Sequence, residues 1–149
     1  EGVLDVMNRL TKLVNPKKIF MGKKDFQQFY LVKKYLEKKY RTKVIPCNTI
    51  RNKYMLALSS RNILLKKSEL FIASKIVKSI INIKKELKKQ NSFKKFLEIQ
   101  KKDIEKMFKI KIEYLELRNI YNLQTSKSLK NSKLFVAYYI NKVRLIDNF

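Results

Sequence analysis

The feature that most limits the fold of this chain is the change of hydrophobic period within its first fifty residues. Val3, Val6, Met7, Leu10, Leu13 and Val14 recur at helical spacing and stop at the Asn15-Pro16 break, the pattern of an amphipathic helix. A short apolar run, Ile19-Phe20-Met21, ends at Gly22 and reads as a buried strand. From Asp25, placed where an N-cap belongs, the helical pattern returns through Phe26, Phe29, Tyr30, Val32, Leu36 and Tyr40. Val44 and Ile45 then open another short strand before Pro46. Helix, strand, helix, strand in that order specifies a parallel α/β sheet. Two strands do not complete one, because a parallel sheet is covered on both faces and normally has several strands. The stretch therefore reads as part of a larger α/β domain, with an apolar edge and face that further strands cover. The opening EGVLDVMNRL has no initiating Met and no basic stretch ahead of an apolar core, so it is expected to lie inside a longer product and not to be a signal peptide.

Past a polar segment at 51–62 the style changes. Ser68 is placed to cap a long helix through about Lys89, and Ser92 a second through about Phe108. Ile110, Ile112 and Tyr114 alternate with Lys111 and Glu113 as in a half-buried strand. Residues 134–140 and 143–146 flank Asn141-Lys142, a two-residue link that closes a hairpin, while 122–132 is a polar loop. The expected organisation is an α/β portion at 1–50 and an α+β lobe with antiparallel strands at 51–149.

The absence of His removes most metal sites and the Ser-His and Cys-His triads, and no glycine-rich phosphate loop is present. One cysteine, Cys47, cannot form an internal disulfide, and no run reaches the roughly 20 apolar residues of a membrane span. These features fit a reducing, cytoplasmic setting. The net charge of +24, from 36 basic and 12 acidic residues, is what a polyanion-binding surface would also carry. The basic residues are nearly all Lys, however, scattered as pairs along every segment, with Arg only at 9, 41, 51, 61, 118 and 144. Phosphate readers concentrate charge on one face and use Arg for two-pronged contacts. A solvated basic surface with no specific nucleic acid is the expectation; a basic nucleic-acid-binding module is the alternative.

Two polar clusters remain. The first is Met21-Gly22-Lys23-Lys24-Asp25-Phe26-Gln27-Gln28, at a strand end and helix start. Gly22 permits close approach of a ligand, Lys24 supplies a mobile cation, and the helix start favours phosphate. The second is Leu56-Ala57-Leu58-Ser59-Ser60-Arg61-Asn62, whose hydroxyls and guanidinium suit triphosphate oxygens. Spacing alone leaves open a blander alternative: a tight turn capped by Asp25 with solvated lysines in the first, and a capped loop with Ser59 and Ser60 bonded to local backbone and Arg61 exposed in the second.

Four collinear blocks resolve that choice by resemblance. MGKKDFQQ and TIRNKYMLALSSRN resemble the FGEKDFQQ and TVREADGLAMSSRN motifs of the pantothenate synthetase family, and IEYLELRN and LFVAYYINKVRLIDNF are similar to its closing strands. GVLDVMNRLTKLVNP resembles the helix before the first motif. The resemblance covers nearly the whole chain and marks it as the carboxyl-terminal half of such an enzyme. It implies the second half of a nucleotidyltransferase-like, Rossmann-type parallel-sheet domain followed by a small α+β lobe, with an HxGH signature in the other half. It also implies a homodimer and a ligase that joins pantoate to β-alanine through pantoyl adenylate, using ATP with Mg2+. Carried over, Gly22 and Asp25 would hold the ribose, Lys24 the phosphates, Gln28 the pantoate, the Ile50 backbone the adenine, and Ser59, Ser60 and Arg61 the triphosphate, with Leu58 in the same nucleotide loop. Lys24, Ser59, Ser60 and Arg61 would be the catalytic set, and no protein residue a metal ligand. Lys23 for Glu, Asn48 near a Pro, and Tyr54-Met55 for Asp-Gly depart from the family pattern; Met55 accepts a positive φ only at a cost, so the serine loop is expected to follow another path. The enzyme alternative is another adenylate-forming or nucleotidyl-transfer enzyme of the same superfamily.

Overall fold

The opening helical spacing produces α1 (Gly2–Val14), which the Asn15-Pro16 break ends. The run before Gly22 becomes β1 (Lys18–Gly22), and α2 (Phe26–Lys39) and β2 (Lys43–Cys47) follow. The structure, a computed structural model, describes residues 2–149 and falls into two units, one running to Thr49 and the other Ile50–Phe149.

In the first unit β1 and β2 pair in parallel, from Lys18 opposite Lys43 to Gly22 opposite Cys47, with α2 as the crossover that parallel pairing requires. Phe26, Phe29, Val32 and Leu36 of α2 are buried, as is Val44 of β2. Two polar contacts fix the return of the chain. The Thr42 hydroxyl donates to the Pro16 carbonyl at 2.6 Å, and the Val44 N–H donates to the Glu37 carboxylate at 2.9 Å. Helix α1 buries only Thr11, whose hydroxyl bonds back to Met7. Its apolar stripe of Val3, Val6, Leu10, Leu13 and Val14 is exposed, as is Phe20 of β1. A parallel pair with this much bare apolar surface is a portion of a doubly wound sheet, as the periodicity implies.

The second unit holds α3 (Lys67–Glu86), extended by a 3-10 turn, Leu87–Lys89, then α4 (Phe93–Phe108) and an antiparallel sheet in the order β3 (Lys111–Asn119), β4 (Ser132–Ile140), β5 (Val143–Asn148). Its core joins Ile76, Val77, Ile80 and Ile83 of α3 and Leu97 and Ile104 of α4 to Ile112, Leu115, Leu134, Val136 and Leu145 of the sheet. Asn141 takes the β4–β5 turn at φ 50°, a conformation that Asn tolerates better than most residues.

Three local expectations are corrected. Asp25 and Ser92 occupy N-cap positions, yet neither side chain makes a capping bond. Ser68 lies inside α3 and not at its cap; the Glu69 carboxylate instead reaches back to the Lys66 N–H at 2.7 Å, because a carboxylate one turn in satisfies an orphan donor as a charged acceptor. Tyr114 is off the core face. A bulge between Ile112 and Tyr114 shifts the register, so the buried series runs Ile112, Leu115, Leu117, as one extra residue in a strand requires.

Candidate functional site

The first cluster is built by the end of β1 and the start of α2. Gly22 has φ −67° and ψ 134°, and a Cβ there would meet nothing within 4 Å. Within this chain neither backbone conformation nor packing demands glycine at this position. A 3-10 turn, Lys23–Asp25, then leads into α2. Asp25 is exposed and its carboxylate, not engaged in capping, lies 3.9 Å from the ammonium of Lys24, whose side chain is only 19% exposed. The bland account of this turn needed Asp25 as a cap, and the geometry does not support it. Gln28, on the first turn of α2, is exposed.

The second cluster lies in the other unit, and a small hairpin sets it up. The Leu58 N–H donates to the Ile50 carbonyl at 3.0 Å, the Asn52 N–H to Leu56 at 2.9 Å, and Arg51 bridges Ala57. The turn between is closed by the Met55 N–H on the Asn52 carbonyl at 2.9 Å, with Met55 at φ 70°. This is a three-residue hairpin loop whose last residue is left-handed. Met55 thus takes the left-handed conformation that a glycine adopts freely, at the cost its Cβ imposes. The Asn52 side chain helps hold it there, accepting from the N–H groups of Tyr54 and Leu56 at 2.9 and 3.1 Å. A left-handed L-residue costs about 1 to 2 kcal/mol, so Met55→Gly is expected to stabilise this unit by about 0.5 to 1 kcal/mol after the entropic loss of glycine. A rise in the urea midpoint at unchanged slope is the check.

Beyond the hairpin, Ser59 stands before a 3-10 turn, Ser60–Leu64. Its hydroxyl oxygen accepts the Arg61 N–H at 3.3 Å, and the Asn62 side chain donates to the Ala57 carbonyl at 3.0 Å. Two parts of the bland reading therefore hold: Ser59 does bond local backbone, though its own O–H remains a donor, and Arg61 is exposed. Ser60 and Arg61 are exposed. One N–H of the Arg61 guanidinium donates to the Arg144 carbonyl on β5 at 3.0 Å, out of five such donors in the fork. Ile50 and Leu58 are largely exposed apolar residues at the hairpin root, and the Ile50 carbonyl keeps a second lone pair beyond its bond to Leu58.

Sequence reasoning missed Arg51. Its guanidinium grips the Asp147 carboxylate with both prongs, at 2.6 and 2.8 Å. It also donates to the carbonyls of Met55 at 2.9 Å and Asn148 at 3.3 Å, and lies 4.7 Å from the centre of the Phe149 ring. Burial, and next the Asp147 charge, push the Tyr138 phenol up, so it stays neutral beside this pair. Arg9, Arg118 and Arg144 also face carboxylates, those of Asp5, Glu116 and Glu113. The Arg144 guanidinium holds the Glu113 carboxyl below its ordinary value, chiefly through hydrogen bonds at 2.7 and 3.0 Å, and Tyr139 adds another. A carboxyl whose folded value is depressed contributes stability fully above its unfolded value and loses it as pH falls through the folded one. The stability difference between the natural chain and Glu113→Gln is therefore expected to be constant at neutral pH and to shrink below the ordinary carboxylate range, as read by urea unfolding across pH.

A two-stranded parallel α/β portion and an α+β unit with an antiparallel sheet, with donor-rich loops at a strand end and at a hairpin root, define the class as α/β. A family model described as pantoate-beta-alanine ligase matches residues 1–149. A pantothenate synthetase of Clostridium botulinum (strain Loch Maree) is 38% identical over 155 residues, covering 100% of this chain and 54% of its own length. One of Flavobacterium psychrophilum is 33% identical over 154 residues, covering 99% and 54%. The chain belongs to the pantoate-beta-alanine ligase family. A solved pantothenate synthetase of Thermus thermophilus superposes with TM-score 0.89 at 25% identity over 99% of this chain and 54% of that one. A pantoate-beta-alanine ligase of Francisella tularensis, solved in complex with β-γ ATP and β-alanine, gives TM-score 0.73 at 34% identity over 99% and 49%. The chain thus spans about half the length of the relatives it matches.

Proposed function

We propose that this chain is the carboxyl-terminal half of an ATP-dependent ligase that condenses pantoate with β-alanine, giving pantothenate, AMP and pyrophosphate. The observation that carries the reading is the serine loop: in a chain matching this family from end to end, Ser60 and Arg61 stand exposed on a pinned turn, with most guanidinium donors uncommitted. In the first step the pantoate carboxylate forms a bond to the α-phosphorus of ATP. The bond from that phosphorus to the bridging oxygen breaks, and its electron pair leaves with pyrophosphate. In the second, the amine of β-alanine attacks the acyl carbon, AMP departs with the acyl-oxygen electron pair, and the amine gives up a proton.

No side chain becomes covalent in this scheme, so the chain contributes by alignment and by neutralising charge on the departing phosphates. Ser59, Ser60 and Arg61 meet the triphosphate, Lys24 the phosphates, Gly22 and Asp25 the ribose, Gln28 the pantoate, and the Ile50 backbone the adenine, with Leu58 in the same nucleotide-binding loop. Among the described residues no group of three or more His, Cys, Asp or Glu could hold a metal ion. Mg2+ enters as part of the nucleotide substrate, held by phosphate oxygens and water. Among the described residues no helix is long and apolar enough to cross a membrane. The intact ligase works in the cytoplasm and acts as a homodimer.

The test joins this chain to the upstream half of a relative and follows isotope exchange between ATP and pyrophosphate. Exchange that requires pantoate but not β-alanine supports the reading, and this chain alone should release no AMP. Exchange without pantoate, or none in a folded completed enzyme, overturns it.

A further inference from the structure

The serine loop is attached to β5 at two points: the Arg144 carbonyl holds the Arg61 guanidinium, and the Asp147 carboxylate holds Arg51 at the root of the hairpin. They stand three positions apart along the strand, roughly 10 Å. The root attachment is the stronger. Both prongs of Arg51 are engaged, the Asp147 side chain is 3% exposed and that of Arg51 17%, and Arg51 also bonds Met55, the left-handed residue of the turn. A planar fork on a carboxylate admits one relative orientation, which neither an apolar contact nor a Lys ammonium would impose. Buried ion pairs of this kind add little net stability over a well-packed apolar pair, and their best-attested use is to fix register.

We infer that Arg51, locked by Asp147, is a positioning residue that sets where Ser59, Ser60 and Arg61 stand. The residues that close the chain, Asp147, Asn148 and Phe149, are then the strut of the phosphate-gripping loop. This deepens the reading above, but only the activity arm of its test depends on that reading.

In this chain, the double substitution Arg51→Met with Asp147→Leu replaces the pair by apolar groups. Hydrogen exchange of the Asn52 and Leu58 amides, which form the hairpin ladder, is expected to quicken at least tenfold relative to the amide of Ile80, buried in the middle of α3. Parallel acceleration of all three amides, or none, would mean that the pair only stabilises the unit, and overturns the inference. In the completed enzyme, Arg51→Lys keeps the charge and loses the fork. Single-turnover pyrophosphate release is expected to fall at least tenfold with pantoate affinity unchanged. Full activity with Lys would sink the inference. If the completed natural enzyme releases no pyrophosphate, the ligase reading fails, and the amide exchange still decides whether Arg51 positions the loop.

Discussion

Arg61→Ala, made in the enzyme completed with its upstream half, is expected to slow pyrophosphate release about 30- to 1000-fold while leaving pantoate affinity nearly unchanged. A guanidinium on the departing phosphates acts where charge develops in the transition state, and one such contact contributes roughly 2 to 4 kcal/mol to the activation barrier. The substitution also removes a hydrogen bond to the Arg144 carbonyl, an exposed contact contributing about 0.5 to 1.5 kcal/mol. Urea unfolding of the same variant separates the two effects. Arg144 is a poor comparison, since its carbonyl receives Arg61 and its side chain pairs with Glu113. Lys142, exposed in the β4–β5 turn, is a charge-matched one: Lys142→Ala should release pyrophosphate at the natural rate. Equal slowing by both would reduce the role of Arg61 to general basicity.

Asp147→Ala should destabilise the second unit by about 3 to 5 kcal/mol, because it leaves the mostly buried Arg51 guanidinium without its counter-charge. That is a large share of the roughly 5 to 15 kcal/mol that holds a domain folded. Most of the loss should return when Arg51→Met is added, since the unpaired charge, more than the absent contact, is what costs. A single variant within about 1 kcal/mol of the natural chain would show that water solvates Arg51 well enough to replace the carboxylate.

These two arginines mark the limit of what the residues disclose in advance. Arg61 was legible because it sits beside two serines in a block of known pattern. Arg51 was not: its partner lies 96 positions away, and among 36 basic and 12 acidic residues no local signal says which pairs meet. The helices and strands were legible almost throughout, because the periods of 3.6 and 2 are distinct and Pro16 and Gly22 punctuate them. Strand β3 was half read. Alternation through Tyr114 is the correct inference from composition, but a bulge is decided by pairing with β4, and nothing in residues 110–114 announces it. The Ser68 cap failed for a related reason: a Ser at a helix start competes with charged acceptors one turn in, and at α3 the Glu69 carboxylate prevailed. At α2 and α4 no acidic residue stands in the first turn, and nothing in the structure explains why Asp25 and Ser92 make no capping bond. Met55 is a different case. A non-glycine residue at a glycine-like position takes the left-handed conformation at a cost, and Asn52 and Arg51 hold the turn closely enough to carry the strain.

The central claim is that the serine loop of this chain serves adenylate formation, and acid-quenched single turnover with labelled ATP tests it most directly. With pantoate present and β-alanine withheld, the completed enzyme should accumulate pantoyl adenylate and pyrophosphate in equal amounts, and adding β-alanine should convert the adenylate to pantothenate and AMP. Release of ADP and an acyl phosphate, or an adenylate that forms as fast with Arg61→Ala, would contradict the account.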